Sequence, residues 1–373
     1  MVFPACRLPL FRMSPVAAQR RVEPTMPRPP RSSTKTARIN QQAVAERLGI
    51  SVTTVSRSLQ DHPDIAPATK RRVLEEADRL GYRGRTSGAD MARCVTVIIA
   101  SAEPKSGMTL LERGYLQGLS MEAQTEGLLL ATHCQETSQA EMLRDPQQWP
   151  VALRTPGSRG LVLIHRLPDA VVESLALGHP TVSLVHAYAG AACDVVDSDH
   201  ATGYGHVIDL LAQHGHRRMA WAMVSDAPLS LSRFGSFMAG LARHGLSEVA
   251  APQLILPEGP GASAALREQV QAALRLGVTA VVADRDSTAL RIWQVAQELG
   301  LEVPRDLSIV GFDGVDAQPG GLALTTISIP YQEMGRQALR RLLIPRGLGA
   351  IPTTTSLRGR LIPGATTGPA PRR

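Results

Sequence analysis

The feature that most constrains the fold of this chain is an alternation of short apolar runs with amphipathic stretches, which starts at Val95 and continues to about residue 343. Continuous apolar runs of this kind are typical of strands that are buried on both faces of a sheet. Because several of the stretches between them have helical periodicity, the pattern predicts a mostly parallel sheet covered by helices. About 270 residues are too many for one such sheet, so we expect two lobes.

The strands of this region are expected at residues 95–100, 128–131, 161–164, 182–185, 219–224, 280–283 and 307–310. The helices are expected at residues 110–126, 201–214, 231–244, 263–276, 287–299 and 331–343. Aromatic residues make up only 3 % of the chain, so the cores should consist mainly of Leu, Val, Ala and Ile.

The first quarter of the sequence differs from the rest in charge. Residues 1–92 hold 16 Lys and Arg against 8 Asp and Glu, whereas the remainder holds 24 against 25. Such an asymmetry is typical of a nucleic-acid-binding head on a near-neutral body. A solvated basic tail would give the same charge, and residues 1–37, rich in Pro and Arg, are expected to form a disordered basic arm.

Residues 39–83 predict three short helices. The first covers about residues 40–47 and ends at Gly49, because a tight turn favours glycine. Ser51 is a good N-cap for a second helix, and Pro67 suits the first turn of a third. Their apolar positions would share one small core, made of Val44, Leu48, Val55, Leu59, Val73, Ala77 and Leu80. Three helices with a glycine turn between the first two form a helix-turn-helix arrangement.

Several motifs then point to a family. Residues 44–59 read VAERLGISVTTVSRSL, and residues 79–83 read RLGYR. Further along, the chain carries GHRR at 215–218, VPRDLSIVGFD at 303–313 and LTT at 324–326. With these motifs in this order, the chain resembles the lactose-repressor (LacI/GalR) family of bacterial transcription regulators over about residues 39–366. The resemblance implies a small all-α helix-turn-helix head and an α/β body of two Rossmann-type lobes, like a periplasmic binding protein, with a ligand in the cleft between them.

The resemblance also implies a homodimer that binds palindromic double-stranded operator DNA. It assigns base reading to three residues of the second helix, Val52, Thr53 and Arg57. Arginine can make two hydrogen bonds to guanine, and the methyl groups of Val and Thr can contact the thymine methyl. Contact with phosphate alone is the alternative for Arg57. The remaining polar residues are expected to contact phosphate or to cap the helix: Ser51, Thr54 and Ser56.

The linker after the head departs from the family pattern. Counting from Tyr82 places Met91 where the family has a Leu that inserts into the minor groove of DNA, and a Met can fill that role. Gly84, Gly88 and Asp90, however, weaken a helix in this segment. A hinge helix and a plain flexible linker therefore both stay open.

Four ligand-contact positions of the family map onto Asp199, Arg233, Arg285 and Asp313. Paired Asp and Arg side chains suit vicinal hydroxyl groups, since both offer paired hydrogen bonds. Arg285 stands where the family has Asn, so it adds a permanent cation to the cleft. Its partner would be either a protein carboxylate such as Asp286 or Asp313, with a neutral sugar as ligand, or an anionic group of the ligand. We favour the neutral sugar, because Asp199 and Asp313 would repel an anion.

The expected organisation is an arm (1–37), a helix-turn-helix domain (38–84), a hinge or linker (85–94), a two-lobed effector-binding and dimerisation domain (95–366) and a flexible tail (367–373). The tail has no heptads, so no coiled coil is expected. The cysteines are isolated and indicate reduced thiols of a cytoplasmic protein: Cys6, Cys94, Cys134 and Cys193. No cofactor, metal site or membrane segment is predicted.

These observations predict a ligand-responsive, sequence-specific transcription regulator, most simply a repressor of a carbohydrate uptake or catabolism operon. A solute-binding protein with a vestigial DNA-binding head is the alternative. An enzyme is not expected, because the chain has no GxSxG, HExxH or P-loop motif. Whether the ligand induces or corepresses stays open at this point.

Overall fold

A computed structural model of the protein describes residues 41–59, 64–80, 93–102, 107–155, 157–224, 227–246, 251–257, 261–314, 323–345 and 351–372. The structure contains a small helical head within residues 41–80 and an α/β body that begins at residue 93. The predicted fold class, an all-α head with a two-lobed parallel α/β body, is confirmed.

The head consists of α1 (Gln41–Leu48), α2 (Val52–Leu59) and α3 (Pro67–Arg79). Its buried core combines side chains of all three helices, namely Val44, Ala45, Val55, Val73 and Ala77, with Leu48, Leu59 and Leu80 packed against them. Gly49 has a φ of +63°, a left-handed conformation that favours glycine, so the turn between α1 and α2 is formed as the sequence predicts.

The first lobe of the body contains a six-stranded sheet in which every neighbouring pair is parallel. In spatial order its strands are β11 (Thr354–Leu357), β5 (Cys193–Ser198), β4 (Thr181–Leu184), β3 (Leu161–Ile164), β1 (Cys94–Ser101) and β2 (Leu129–Glu136). Its helices are α4 (Leu110–Thr125), α5 (Val151–Arg154), α6 (Asp169–Gly178) and α11 (Tyr331–Leu343), with 3₁₀ turns at Thr137–Arg144 and Pro146–Gln148. Val97 and Ile99 of β1 enter one core and Ile98 and Ala100 enter another, so both faces of the sheet are buried.

The second lobe contains a four-stranded parallel sheet in the order β7 (Gln253–Ile255), β6 (Met219–Met223), β8 (Ala280–Ala283) and β9 (Ser308–Val310). Its helices are α7 (His200–Gln213), α8 (Pro228–Arg243), α9 (Ala262–Arg275) and α10 (Asp286–Glu298). The expectation of aliphatic cores needs a qualification here, because an aromatic cluster of Tyr204, Trp221, Phe237 and Phe312 is buried in this lobe. The ring centroids of Tyr204 and Phe312 are 4.6 Å apart.

The chain passes between the lobes three times, from β5 to α7, from β10 (Thr326–Ser328) to α11, and from β11 to β12 (Arg360–Ile362). Strands β10 and β12 pair antiparallel and form a small two-stranded sheet. Helix α11 is held against α4 at a close contact where Gly118 and Gly335 each face the backbone of the other helix. A side chain at either glycine would push the two helices apart.

The predicted strands and helices agree with the structure to within a few residues, except that β2 extends to Glu136. The sequence pattern missed α5, α6 and the strands β5, β7, β10, β11 and β12. Strand β5 was missed because it carries acidic residues. Asp194 is nevertheless buried there, because Arg341 donates to its carboxylate at 2.6 Å and the backbone N–H of Thr353 donates at 2.7 Å.

The expected flexible tail at 367–373 is corrected by the structure, which describes this segment up to residue 372. His216, fully buried in the second lobe, lies 3.1 Å from the carbonyl of Gly368 through its Nε2 atom. The backbone N–H of Ala370 donates to the carbonyl of His214 at 2.8 Å. Thr366 is also fully buried, so the segment is part of the second lobe.

None of the described helices combines the length and the apolar character needed to cross a membrane. Within the same residues, no three His, Cys, Asp or Glu side chains are grouped as ligands for a metal ion.

Candidate nucleic-acid interface and ligand cleft

Helix α2 separates its buried and exposed residues as the sequence predicts. Val55 is fully buried and Ser58 nearly so, whereas Val52, Thr53 and Arg57 are exposed. The exposed residues lie at i, i+1 and i+5, so they share one side of the helix near its N-terminus. An exposed helix of a helix-turn-helix unit with Arg, Thr and Val on this side has the groups needed to read base edges in the major groove.

Ser51 caps α2. Its hydroxyl oxygen accepts a hydrogen bond from the backbone N–H of Thr54 at 3.0 Å, and the two side-chain hydroxyls lie 2.8 Å apart. The cap satisfies one of the N–H groups that a helix leaves without an intrahelical partner. Between the two roles that the sequence left open for Ser51, the structure therefore supports helix capping. Ser56 is half-buried, and Met91 lies outside the described residues.

A cavity of about 340 Å³ lies between the two lobes. It opens where several parallel strands end, since His165 follows β3, Val185 follows β4 and Asp313 comes after β9. These three are the described non-glycine residues with positive φ, at 66°, 75° and 132° respectively. Such conformations are strained, most of all for a β-branched Val, and are concentrated at functional sites. A shallow groove of about 450 Å³ along α7, beside Arg360, has neither feature.

Asp284 is the central group of the second-lobe wall. Its fully buried carboxylate accepts hydrogen bonds from the hydroxyls of Ser230 and Thr288, both at 2.7 Å. It also accepts from the guanidinium of Arg285 at 3.0 and 3.2 Å. Arg285 thus has an internal partner, as the neutral-ligand alternative requires, but the partner is its neighbour Asp284 instead of Asp286 or Asp313.

Arg233 on α8 is nearly fully buried beside the cavity. It donates to the carbonyl of Asp284 at 2.5 Å, forms an ion pair with Asp313 at 3.1 Å, and lies over the ring of Phe312 at 4.5 Å from the centroid. Burial alone would lower the pKa of Arg233, but the charge of Asp313 raises it, so Arg233 stays cationic. The structure therefore brings Arg233, Arg285 and Asp313 together in the cavity lining, as the sequence predicts.

Asp199 is a correction to the predicted ligand contacts, because it is not among the residues that line the cavity. It is the N-cap of α7, where its carboxylate accepts hydrogen bonds from the backbone N–H and the hydroxyl of Thr202 at 2.9 and 2.6 Å. Arg358, on another of the three crossings, lies 3.8 Å away. A carboxylate occupied by a helix N-terminus has little capacity left for a ligand.

The titratable groups of the cavity are shifted mainly by burial. Burial raises the pKa of Asp313 to about 6, although the neighbouring Arg233 opposes the shift. Burial, assisted by His165 and nearby arginines, lowers the pKa of His186 to about 4, so its imidazole is neutral at pH 7. Burial and the charge of Asp313 raise the pKa of Tyr115 and Tyr331, which keeps both phenols protonated.

Four residues of the cavity lining were missed by the sequence analysis: Tyr115, His165, His186 and Tyr331. The two histidines follow predicted strands directly, and ligands of parallel α/β sheets bind at the carboxyl ends of strands, so this signal was available. The two tyrosines come from helices α4 and α11, which are far apart in the sequence, and their rings meet edge to face at a centroid distance of 5.2 Å. No local pattern indicated that contact.

Comparisons with known proteins agree with this architecture. The model of bacterial regulatory proteins of the lacI family matches residues 42–84, and a periplasmic binding protein-like domain matches residues 208–367. The HTH-type transcriptional repressor CytR of Escherichia coli strain K12 is 30 % identical over 307 residues, which cover 80 % of this chain and 87 % of CytR. The HTH-type transcriptional regulator AscG of the same strain is 26 % identical over 329 residues, or 86 % of this chain and 95 % of AscG.

Solved structures share the fold. A Lac repressor dimer bound to operator and the anti-inducer ONPF has a TM-score of 0.64 at 21 % identity and covers 88 % of this chain and 99 % of that chain. A complex of the transcriptional regulator CelR with cellobiose has a TM-score of 0.58 at 23 % identity and covers 88 % and 100 %. The chain belongs to the LacI family of bacterial transcription regulators. It is a ligand-responsive DNA-binding regulator whose relatives are regulators and repressors.

Proposed function

We propose that this protein is a cytoplasmic repressor that binds a palindromic operator as a homodimer and releases it when a small molecule occupies the interlobe cleft. The observation that carries the proposal is that one chain presents an exposed, capped helix α2 and an interlobe cavity lined by strained residues. Two copies related by a twofold axis would place two α2 helices on two half-sites.

Val52, Thr53 and Arg57 read base edges in this proposal, and Ser51, Thr54 and Ser56 support the helix or contact phosphate. Arg233, Arg285 and Asp313 belong to the effector site. CytR is a repressor by name, and solved relatives are complexes with an operator, with cellobiose and with ribose. These names support operator DNA and a sugar-like effector for this chain, within a carbohydrate uptake or catabolism operon.

Effector and operator would be coupled through two arrangements of the lobes. If the ligand prefers one arrangement and the operator the other, each weakens the binding of the other by the same factor. The three crossings between the lobes are the elements that such a movement has to bend.

The test is a footprint of the full-length protein on the promoter regions next to its own gene, with and without a panel of sugars. A protected palindrome that depends on Arg57, and that a sugar releases, is the expected result. The matched control is Arg144→Ala, which removes one exposed positive charge from the body and should leave the footprint unchanged. Sugar binding without any protected DNA would favour the solute-binding protein with a vestigial head.

A further inference from the structure

The charged groups in the cavity lining are paired with protein groups. The guanidinium groups of Arg233 and Arg285 lie 3.1 and 3.0 Å from the carboxylates of Asp313 and Asp284. At the first-lobe rim, Arg166 lies 2.5 Å from Asp169. Each of these cations is therefore matched by one carboxylate, and the wall as a whole carries little excess charge.

His165 also has an internal partner. Its Nε2 lies 2.7 Å from Oε1 of Glu112, whose other oxygen accepts from the backbone N–H of Thr109 in the capping box of α4. The positive φ of His165 places the imidazole on this carboxylate. The pair fixes the N-terminus of α4 at the cavity and adds no free cation to the wall.

An anionic ligand would have to take an arginine away from its protein partner. If Arg285 turned to the ligand, the fully buried carboxylate of Asp284 would lose its cation. If Arg233 turned, the nearly buried Asp313 would be left beside the added negative charge. A buried charge without its partner is strongly destabilising, so the wall resists this exchange.

Three polar groups in the cavity lining differ from the arginines. Among the described residues, the hydroxyls of Tyr115 and Tyr331 and the imidazole of His186 have no hydrogen-bond partner in the protein, although all three side chains line the cavity. A phenol both donates and accepts, and so does a neutral imidazole. Together they can serve a ligand that carries several hydroxyl groups and no charge.

We propose, on the basis of the proposed function, that the effector is an uncharged polyhydroxyl compound whose hydroxyl groups are read by Tyr115, Tyr331 and His186, while Arg233 and Arg285 act as positioning residues of the wall. The apolar remainder of the lining, which includes Leu111, Leu184 and Ile329, would cover the carbon skeleton of the ligand. This assigns effector recognition to residues outside those that the sequence predicts.

Calorimetry of the full-length protein with matched pairs of ligands tests the charge. The neutral members are glucose, ribose and cellobiose, and the charged members are glucose 6-phosphate, glucuronate, ribose 5-phosphate and cellobiouronate. At least one neutral member should bind, and its charged counterpart should bind at least about 10-fold more weakly, because the wall has no unpaired cation for it. A panel in which no neutral member binds, or in which a charged member binds more tightly than its neutral counterpart, overturns the proposal.

Single-hydroxyl variants test the readers. Tyr331→Phe and Tyr115→Phe should each weaken the neutral ligand by about 3- to 10-fold, since one hydrogen bond to the ligand is lost, and should leave the unfolding midpoint unchanged. The matched control is Tyr188→Phe, because the hydroxyl of Tyr188 accepts from the backbone N–H of Leu167 at 3.1 Å and is not in the cavity lining. This control should lower the unfolding midpoint and leave the affinity of properly folded protein unchanged.

If neither phenol-to-phenyl variant alters ligand affinity, the assignment of the tyrosines is wrong. The footprint described above needs no ligand, so it tests the proposed function separately. Operator protection combined with binding of charged ligands alone would overturn this inference and leave the repressor assignment intact. Loss of operator protection together with tight neutral-ligand binding would do the opposite.

Discussion

Thr53 and Arg57 on α2 are exposed on a helix of eight residues, whereas Arg233 and Arg285 in the cleft are bound by groups from several elements. The position of the α2 side chains follows from helical periodicity and from a cap three residues away. The cleft side chains depend on partners such as Ser230 and Asp284, which are 54 residues apart. A recognition surface can thus be encoded locally, while a ligand cavity depends on the assembled fold.

The difference has a consequence for function. The α2 side chains have hydrogen-bonding capacity available for DNA, so exposure is a fair guide to their role. In the cleft the most conspicuous side chains, the arginines, already have protein partners, and the available groups belong to less conspicuous residues such as Tyr115 and Tyr331. Charge alone is therefore a poor guide to the ligand.

The largest expected effect comes from removing Asp284. In Asp284→Ala, Arg285 loses its carboxylate and the buried hydroxyls of Ser230 and Thr288 lose their acceptor. The free energy of unfolding of the body should fall by about 3–5 kcal/mol, as for other broken buried ion pairs.

Urea titration followed by tryptophan fluorescence measures this loss, because all three Trp lie in the body. The matched control is Asp169→Ala, which breaks the half-exposed pair with Arg166 and should cost less than about 1 kcal/mol. Equal losses in the two variants would remove the distinction between an assembled cleft and a surface contact.

Arg57→Ala probes the other region. Its side chain is exposed, so the substitution should leave the unfolding of the head unchanged and should weaken operator binding by about 1–3 kcal/mol. Binding to random DNA should fall less, because base contacts are specific to the operator. Gel-shift titrations at one fixed salt concentration on both DNAs measure the difference, and equal losses on both would make Arg57 a phosphate contact.

Asp197→Asn sharpens the comparison through pH. Burial raises the pKa of Asp197 to about 6, against the backbone N–H of Ser198 and the charge of Arg233. The folded state therefore holds a proton that the unfolded state releases between about pH 4 and 6, so this group lowers the free energy of unfolding as pH rises through that window.

An amide cannot ionise, so the variant should be about 1–3 kcal/mol more stable than the parent at pH 7 and nearly equal to it near pH 4. Subtracting the two urea titrations removes contributions common to both proteins, such as that of His200, whose pKa burial lowers to about 3. The matched control is Asp145→Asn, an exposed helix-capping position where the amide can still cap. A constant difference across pH 4–7 would contradict the prediction.

The smallest expected effect is that of Ser51→Ala, which removes the cap of α2. The head should lose about 1 kcal/mol, since the N–H of Thr54 loses its acceptor. Far-ultraviolet circular dichroism of the head during thermal unfolding measures this loss, and Ser51→Asp, which also caps, is the matched control. If the alanine variant lowers operator affinity far more than helix stability, the hydroxyl has a further role at the phosphate backbone.

Prediction from sequence succeeded where the signal was short-range or repeated. Gly49 and Ser51 gave the turn and the cap of the head, and runs such as residues 161–164 and 280–283 coincide with β3 and β8. Prediction failed at β5, where Asp194 is tolerated because Arg341 binds it from a helix 147 residues further along the chain. It also failed at the tail, which His216 binds across 152 residues.

The sequence by itself determined the helix-turn-helix head, the alternation of strands and helices, and the membership in the LacI family, because each depends on residue spacing along a short stretch or on motifs in order. Only the tertiary structure decided that Asp199 caps α7, that Asp284 holds Arg285, and that Tyr115 and Tyr331 meet at the cleft. The physical reason is that a hydrogen bond or an ion pair is satisfied by whichever partner the fold brings within reach. A side chain's chemistry states what it can bind, and packing determines which of those partners it has.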